Sequence, residues 1–425
     1  MTTVHIVGAG ISGLACAVRC VLAGRRVALY EASPQAGGRA RSFHDEGLGC
    51  LIDNGNHMLL GSNTSTRGYL ADIGAAGEVT EIQPASFPFH DLNTGERWIL
   101  RPSGGVFATW LLFPGRRIPG TGVADYLEAL RLARAGPRDA VGDCVDTAGV
   151  LYERLWRPLS RAVMNTDAGE ASARLMWDVI RGTFLKSEAA CRPLLFTSGL
   201  SPTLVAPALK VIGAHNADIR FQARARGLRY QDGRVIAIYF SEGLLGLEIG
   251  DAVVLAVPPE ACAELWPAVK VPQEHRPIIN VHYRLSEPAR LPGGIPFLGL
   301  IGGTGQWLFT RGDILSVTIS AGGALADSPN WEIANRLWAE ISRALNRNMG
   351  RLPPWRVIKE RRATIAQTPA QILRRPAQKT ELANLFIAGD WTATGLPCTI
   401  EGSIRSGFTA AQLALAATTQ GAEPG

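Results

Sequence analysis

The sequence predicts an α/β fold in which a Rossmann-like dinucleotide-binding unit is combined with a second, mixed α+β domain. Two observations carry this. An apolar run, Val4 to Val7, leads directly into Gly8-Ala9-Gly10-Ile11-Ser12-Gly13 and a helical pattern, and a second apolar run ends on Glu31. The chain is also 425 residues long and 46% hydrophobic, which is enough for two or three domains at roughly 100–200 residues each and too long for one small module.

The elements follow in order. Val4 to Val7 reads as a buried parallel strand. Gly8 permits the tight turn after it, Gly10 lets the backbone approach a pyrophosphate, and Gly13 lets helix and strand pack closely. The helix N-terminus, with Ile11 and Ser12, adds partial positive charge. Gly24 ends the helix and Arg26 to Tyr30 forms the next strand. Glu31 then stands where such units place their acceptor for ribose hydroxyls, which argues against a 2′-phosphate. NAD and FAD both remain open at this point. Ile219 to Leu228 reads as a strand pair, and Asp251 to Pro259 as a buried strand stopped by proline. Asn384 to Trp391 is a strand ending in Gly389-Asp390, and an Ala-rich helix runs from Phe408 to Ala417.

Composition narrows the function classes. The net charge is +6, yet only five of 43 basic residues are Lys and no block of five or six like charges occurs, so a nucleic-acid tail is not expected. Seven scattered cysteines without a C-x-x-C pair predict neither a zinc site nor a disulfide framework, and fit a reducing cytosol. No signal-peptide pattern and no run of 18 apolar residues is visible, so a cytoplasmic rather than secreted or membrane-spanning protein is expected.

After Glu31 comes Ala32 to Ser42, a loop with Gly37, Gly38, Arg39, Ala40 and Arg41. With this loop the sequence resembles the flavoprotein superfamily of amine oxidases, phytoene desaturases and protoporphyrinogen oxidase. The resemblance implies FAD, with the loop at its pyrophosphate and Asp390 accepting from a ribityl hydroxyl or a phosphate-bound water. It also implies that Gly389 makes room for the cofactor, that Ala225 contacts adenine through its backbone, and that Thr399, Ile400 and Glu401 open a helix aimed at the flavin pyrimidine edge, with Ile400 as amide donor. A discontinuous FAD domain follows, at about 1–85, 200–265 and 355–418, with a substrate domain at 86–199 and 266–354 and a flexible tail at 419–425.

Within the superfamily, two further segments are similar to the squalene-associated flavoenzymes of bacterial hopanoid synthesis, the hydroxysqualene dehydroxylases. They are Asp53-Asn54-Gly55-Asn56-His57 and Leu155 to Thr166, with Asn56 where a Gln is expected. The resemblance implies reductive removal of an allylic hydroxyl from an isoprenoid substrate. His57 is then the candidate acid, Asp53 its orienter or a flavin contact, Asn54, Gly55 and Asn56 cofactor or hydroxyl contacts, and Asn165 and Thr166 substrate contacts. The stretch from Val106 to Arg117, apolar and then basic, is the expected entry from a membrane surface. Other squalene-pathway enzymes are expected partners, and no oligomeric state is assigned. Competing readings are an isoprenoid desaturase, an amine oxidase with Cys398 near the flavin, and a non-catalytic isoprenoid escort protein.

Overall fold

A computed structural model describes residues 2–103, 109–347 and 349–420. Five short strands form a wholly parallel sheet in the order Asp218–Arg220, Arg26–Tyr30, Thr3–Val7, Ala252–Leu255, Leu385–Ile387. A sheet buried on both faces needs apolar residues throughout, and Val4, Ile6, Leu29, Val254 and Leu385 are fully buried. Helices Ile11–Leu22 and Ile400–Gln420 pack against each other beside this sheet. Gly407 sets their spacing, since a Cβ there would lie 2.2 Å from Ser12 O, and Gly13 seats the first helix on the preceding turn, where a Cβ would lie 1.9 Å from Gly8 O.

Two sequence expectations need correction here. Residues 219–228 do not pair with each other. Asp218–Arg220 joins the parallel sheet, and Ala225–Gln231 begins a separate antiparallel sheet with Arg234–Phe240. The cause is a turn at Gln222, with φ 58°, pinned by Gln222 N donating to Ser33 O and Ala223 N to Glu31 O. The last helix opens at Ile400, as the resemblance implied and ahead of the Ala-rich run at Phe408, but it runs to Gln420, into the segment expected to be a tail. Residues 421–425 lie outside the described residues.

The second layer is a seven-stranded mixed sheet, ordered Trp355–Ile365, His275–Arg284, Ile314–Ile319, Trp307–Arg311, Phe297–Ile301, Phe87–Asp91, Arg97–Leu100. Strand Trp355–Ile365 runs antiparallel to His275–Arg284, so this sheet reaches past residue 354, where the substrate domain was expected to end. Alternation gives the sheet two faces. Ile279, Val281, Leu315 and Val317 point to helix Asn330–Ala344, and their neighbours one residue away point to a cavity. Helices Arg157–Met164 and Ala173–Gly182 belong to the helical cluster on the cavity side, and a five-residue π-helical turn, Tyr152–Trp156, leads into the first.

Candidate active site

A cavity of about 1360 Å³ lies between the two layers. Single small-molecule pockets are roughly 300–1,000 Å³, so this one has room for a cofactor and a second ligand together. All the candidate catalytic, cofactor and substrate residues line it except Gly13, Asp53 and Thr166, whereas the described part of the expected entry, residues 109–117, does not.

The cofactor end is built from backbone. Helix Ile11–Leu22 has Gly10 at its N-cap with no side-chain cap, so its first-turn amides remain open to an anion. A Cβ on Gly10 would meet nothing within 4 Å, whereas one on Gly8, where φ is 105°, would strike Ala256 O at 2.3 Å. Glu31 accepts from Ala9 N and Ser33 N, each at 2.8 Å, one at each carboxylate oxygen. That fixes the carboxylate at the cavity rim with lone pairs left for ribose hydroxyls. Thr399 caps helix Ile400–Gln420 through Gly402 N, leaving the Ile400 and Glu401 amides at the cavity wall. The residues present fit a dinucleotide such as FAD: a glycine cradle, an uncapped helix end and a ribose acceptor converge on one space.

Arg39 and Asp390 join the two distant signatures. Their ion pair is 2.6 Å long, and the other Arg39 terminal nitrogen donates to Ala363 O. Arg39 therefore stitches the glycine loop to the C-terminal segment as well as facing the cavity. Arg375 holds that segment from behind: buried, it donates to the carbonyls of Asp390, Thr392 and Leu396 and to Thr394 Oγ1. Cys398 is buried, its thiol pushed up to about 12 by burial and by Asp390, so it is not poised as a thiolate.

Two expected site residues, Asp53 and Thr166, lie outside the cavity lining, and the side chains of two others that line it, Glu401 and Asn165, are held by protein groups. The Asp53 carboxylate accepts from Ser42 Oγ, Leu200 N and Arg311. It raises the His57 pKa through space, with no hydrogen bond to the ring among the described residues. Glu401 is buried and accepts from Ser65 N, Thr66 N and Thr66 Oγ1, so its side chain caps helix Thr64–Asp72. Asn165 sits at φ 49° and bonds Arg276 O, Thr364 Oγ1 and Ala321 N. Thr166 is fully buried between Met164 O and Gln367 N. In each case the residue type matched a ligand contact, but protein groups already occupy the polar atoms.

His57 behaves differently. It is exposed to the cavity interior, and its ring has no hydrogen-bond partner among the described residues. Protein surrounds it, so desolvation lowers its pKa, with Asp53 opposing and Arg39 assisting. Next to it, Asn56 Nδ2 donates to Thr318 Oγ1 at 3.0 Å, and Thr318 Oγ1 donates to Asn280 Oδ1 at 2.8 Å. Asn54 Nδ2 bonds Arg39 O and Glu360, and a Cβ on Gly55 would fall 2.9 Å from Asn280 Nδ2.

The cavity floor is one face of the seven-stranded sheet, and its polarity changes across the strands. Glu360, Arg362 and Thr364 line it on the first strand, Asn280 on the second and Thr318 on the third. Trp307 and Phe309 follow on the fourth, then Phe87, Phe89 and Leu100 on the last two. At about 4.8 Å per strand, six spacings make a floor roughly 29 Å wide. The polar half lies beneath Arg39 and His57, and the aromatic half lies beyond them. Opposite the aromatic half, Leu155, Pro158, Leu159, Ala162 and Val163 line the cavity at helical spacing.

Sequence reading did not find Asn280, Thr318 or the Glu260–His275 pair, which also lines the cavity with a 2.9 Å contact. Burial lowers the His275 pKa against the opposing Glu260. The two-residue alternation in 355–365 and 275–284 was the available signal, but the register that brings these strands together was not.

Comparison with known proteins agrees with this geometry. A family model described as flavin containing amine oxidoreductase matches residues 11–415. The hydroxysqualene dehydroxylase of Rhodopseudomonas palustris is 45% identical over 416 residues, covering 98% of this chain and 99% of the relative. That of Sinorhizobium fredii is 44% identical over 415 residues, with the same coverage. A probable zeta-carotene desaturase of Synechococcus elongatus is 26% identical over 491 residues, covering 97% of this chain and 98% of that one. Among solved structures, a double mutant of putrescine oxidase superposes with a TM-score of 0.74 at 16% identity, covering 98% of this chain and 99% of the other. At that identity the likeness concerns the fold.

Proposed function

Because this chain belongs to the flavin containing amine oxidoreductase family and, within it, to the hydroxysqualene dehydroxylases, we propose that it removes the allylic hydroxyl of hydroxysqualene to give squalene. Its cofactor is FAD. The observation that carries the reading is the 45% identity along 98% of the chain, against 26% to the desaturase. The floor supports it, since one side suits an apolar chain and the other a hydroxyl and a proton donor.

Reduced FAD supplies the hydride that takes the place of the departing hydroxyl. The chain supplies the rest. Hydroxide is a poor leaving group, so the oxygen must be protonated as the C–O bond breaks, and His57 is the ring free to deliver that proton. Water leaves, and the balance is one hydride and one proton added for one water lost. Asn56 and Thr318 position the hydroxyl beside His57, with Asn280 holding Thr318. The apolar roof and aromatic floor hold the chain and keep bulk water out. Because desolvation keeps His57 neutral at pH 7, its acid form fills only as pH falls below the ordinary value of about 6.5.

Anaerobic incubation of dithionite-reduced protein with hydroxysqualene, followed by mass spectrometry, tests this. Squalene formed as the flavin reoxidises supports it. Substrate recovered intact while another polyprene is desaturated overturns it. A colourless protein that FAD does not reconstitute would overturn both enzyme readings and leave the escort reading.

We place the protein in the cytosol, docked on the inner face of the membrane, where an isoprenoid substrate resides. No helix among the described residues is long and apolar enough to cross a membrane. Leu112 and Phe113 are exposed, and Arg116 lies 5.4 Å from the Phe113 ring, an arrangement suited to the headgroup region. Val106, Phe107 and Ala108 of the expected entry lie outside the described residues. Flotation with anionic liposomes should fall in an Arg116→Ala/Arg117→Ala protein, and equal flotation would rule this docking site out.

A further inference from the structure

We propose that Arg154 is the end stop of the apolar channel and sets the length of isoprenoid chain the site accepts, an inference that rests on the isoprenoid reading above. The channel is defined by its walls: aromatic strands below and one face of helix Arg157–Met164 above. Arg181 and Lys186, both exposed, also line the cavity. At the far end, beside the outermost strands Phe87–Asp91 and Arg97–Leu100, Arg154 lines it, with only 13% of its side chain exposed.

Arg154 is fixed there from several directions. Its guanidinium lies 3.0 Å from Asp91, 2.7 Å from Glu96 and 3.2 Å from Pro119 O, and stands 5.1 Å from the Trp98 ring. It thus ties the turn between the outer strands to the segment that carries the exposed Leu112 and Phe113. It sits within the five-residue π-helical turn Tyr152–Trp156. Its neighbour Glu153 points out and is 55% exposed.

A hydrocarbon tail reaching this point cannot pass. To advance it would have to displace the guanidinium from Asp91, whose side chain is only 8% exposed, and leave a buried carboxylate that an alkyl group cannot satisfy. A chain that ends short of Arg154 meets apolar side chains such as Phe87, Leu100 and Leu155. The stop discriminates by length and not by functional group, which is what an enzyme acting on one allylic hydroxyl in a long uniform chain needs at its distal end.

The test measures binding of saturated C20, C30 and C40 isoprenoid hydrocarbons to the FAD-loaded protein by equilibrium partition of radiolabelled probe, with hydroxysqualene conversion measured in parallel. The wild type should bind C30 at least tenfold more tightly than C40. In Arg154→Ala this ratio should fall at least tenfold. In Leu155→Trp, which fills the channel just before the stop, C30 affinity should fall at least tenfold while C20 affinity is kept. If the wild type binds C30 and converts hydroxysqualene but folded, flavin-loaded Arg154→Ala keeps the wild-type ratio, the end stop is wrong and the proposed function stands. If the wild type binds none of the probes and leaves hydroxysqualene intact, both fall. Should Arg154→Ala fail to fold, Leu155→Trp decides, and an unchanged length preference there overturns the proposal.

Discussion

Glu401 was expected at the flavin edge, and the structure assigns its side chain a different task, so Glu401→Ala separates the two. The carboxylate is 3% exposed and accepts from Ser65 N at 3.1 Å, Thr66 N at 2.8 Å and Thr66 Oγ1 at 2.9 Å. Truncation leaves three donors at the start of helix Thr64–Asp72 without their acceptor. Each hydrogen bond to a charged group is worth about 1.5–3 kcal/mol, but the three are not additive because they share one acceptor. Removing one member of a buried charged set costs about 3–5 kcal/mol, and that is the expected loss of folding stability. The Arg405 contact adds little, because that side chain is 40% exposed. Set against a total stability of roughly 5–15 kcal/mol, the change should be plain in urea unfolding followed by tryptophan fluorescence with FAD in excess. Flavin bound per folded molecule should not change, and Glu401→Gln, which keeps one acceptor oxygen, should fall between the two. The reasoning is refuted if Glu401→Ala unfolds at the wild-type urea midpoint but binds FAD at least about tenfold more weakly.

Other consequences can be measured in the same way. His57→Ala should lower turnover roughly 10²–10⁴-fold at unchanged flavin content. Wild-type turnover should rise as pH falls, with an apparent pKa below about 6.5, and loss of flavin in the variant would make His57 structural instead. His282, on the floor strand, is pushed down to about 4 by burial, with Asp53 opposing. Its folded pKa lies below the unfolded value of about 6.5, so the unfolded chain takes up the proton first and stability falls as pH drops through that window. Between pH 6.5 and 5 the His282 contribution to that loss is about 1.5 kcal/mol, because the full 1.36 kcal/mol per unit is reached only below the unfolded pKa, and His282→Gln should remove that part in urea unfolding at the two pH values. Identical pH dependence in both proteins would contradict that. Gly13→Ala places a Cβ 1.9 Å from Gly8 O, and flavin absorbance per protein should drop at least about tenfold, whereas wild-type flavin content would refute the role of close packing.

The sequence made legible what is local. Strand, glycine turn and helix at residues 3–22 follow from a few contiguous residues, and so does the Gly389-Asp390 stop, because the positive φ of Gly8 and Gly389 and the close contacts of Gly13 with Gly8 and of Gly389 with Trp391 arise within a few residues. Which acidic side chains were free was not legible. Asp53, Glu401 and Glu31 each sit beside a glycine-rich segment, yet only the Glu31 carboxylate faces the cavity, because its backbone donors leave lone pairs outward while Ser42, Arg311 and Thr66 enclose the other two. Asn280 and Thr318 escaped notice for another reason. They meet through strand register between residues 280 and 318, and one step of slippage would turn both away from the cavity.

The parallel sheet also bears on how the protein is made. Strand Thr3–Val7 lies some 250 residues ahead of its sheet neighbour Ala252–Leu255 in the chain, and Leu385–Ile387 follows still later. The cofactor floor beneath Gly8 therefore lacks a wall, at Ala256 and at Asp390, until nearly all of this sequence has been translated. Loop closure over such separations is slow, and the early helix Ile11–Leu22 must hold an apolar face unpaired in the meantime. FAD capture therefore waits for the segment that carries Asp390, because the glycine loop made early is completed only by the Arg39–Asp390 pair.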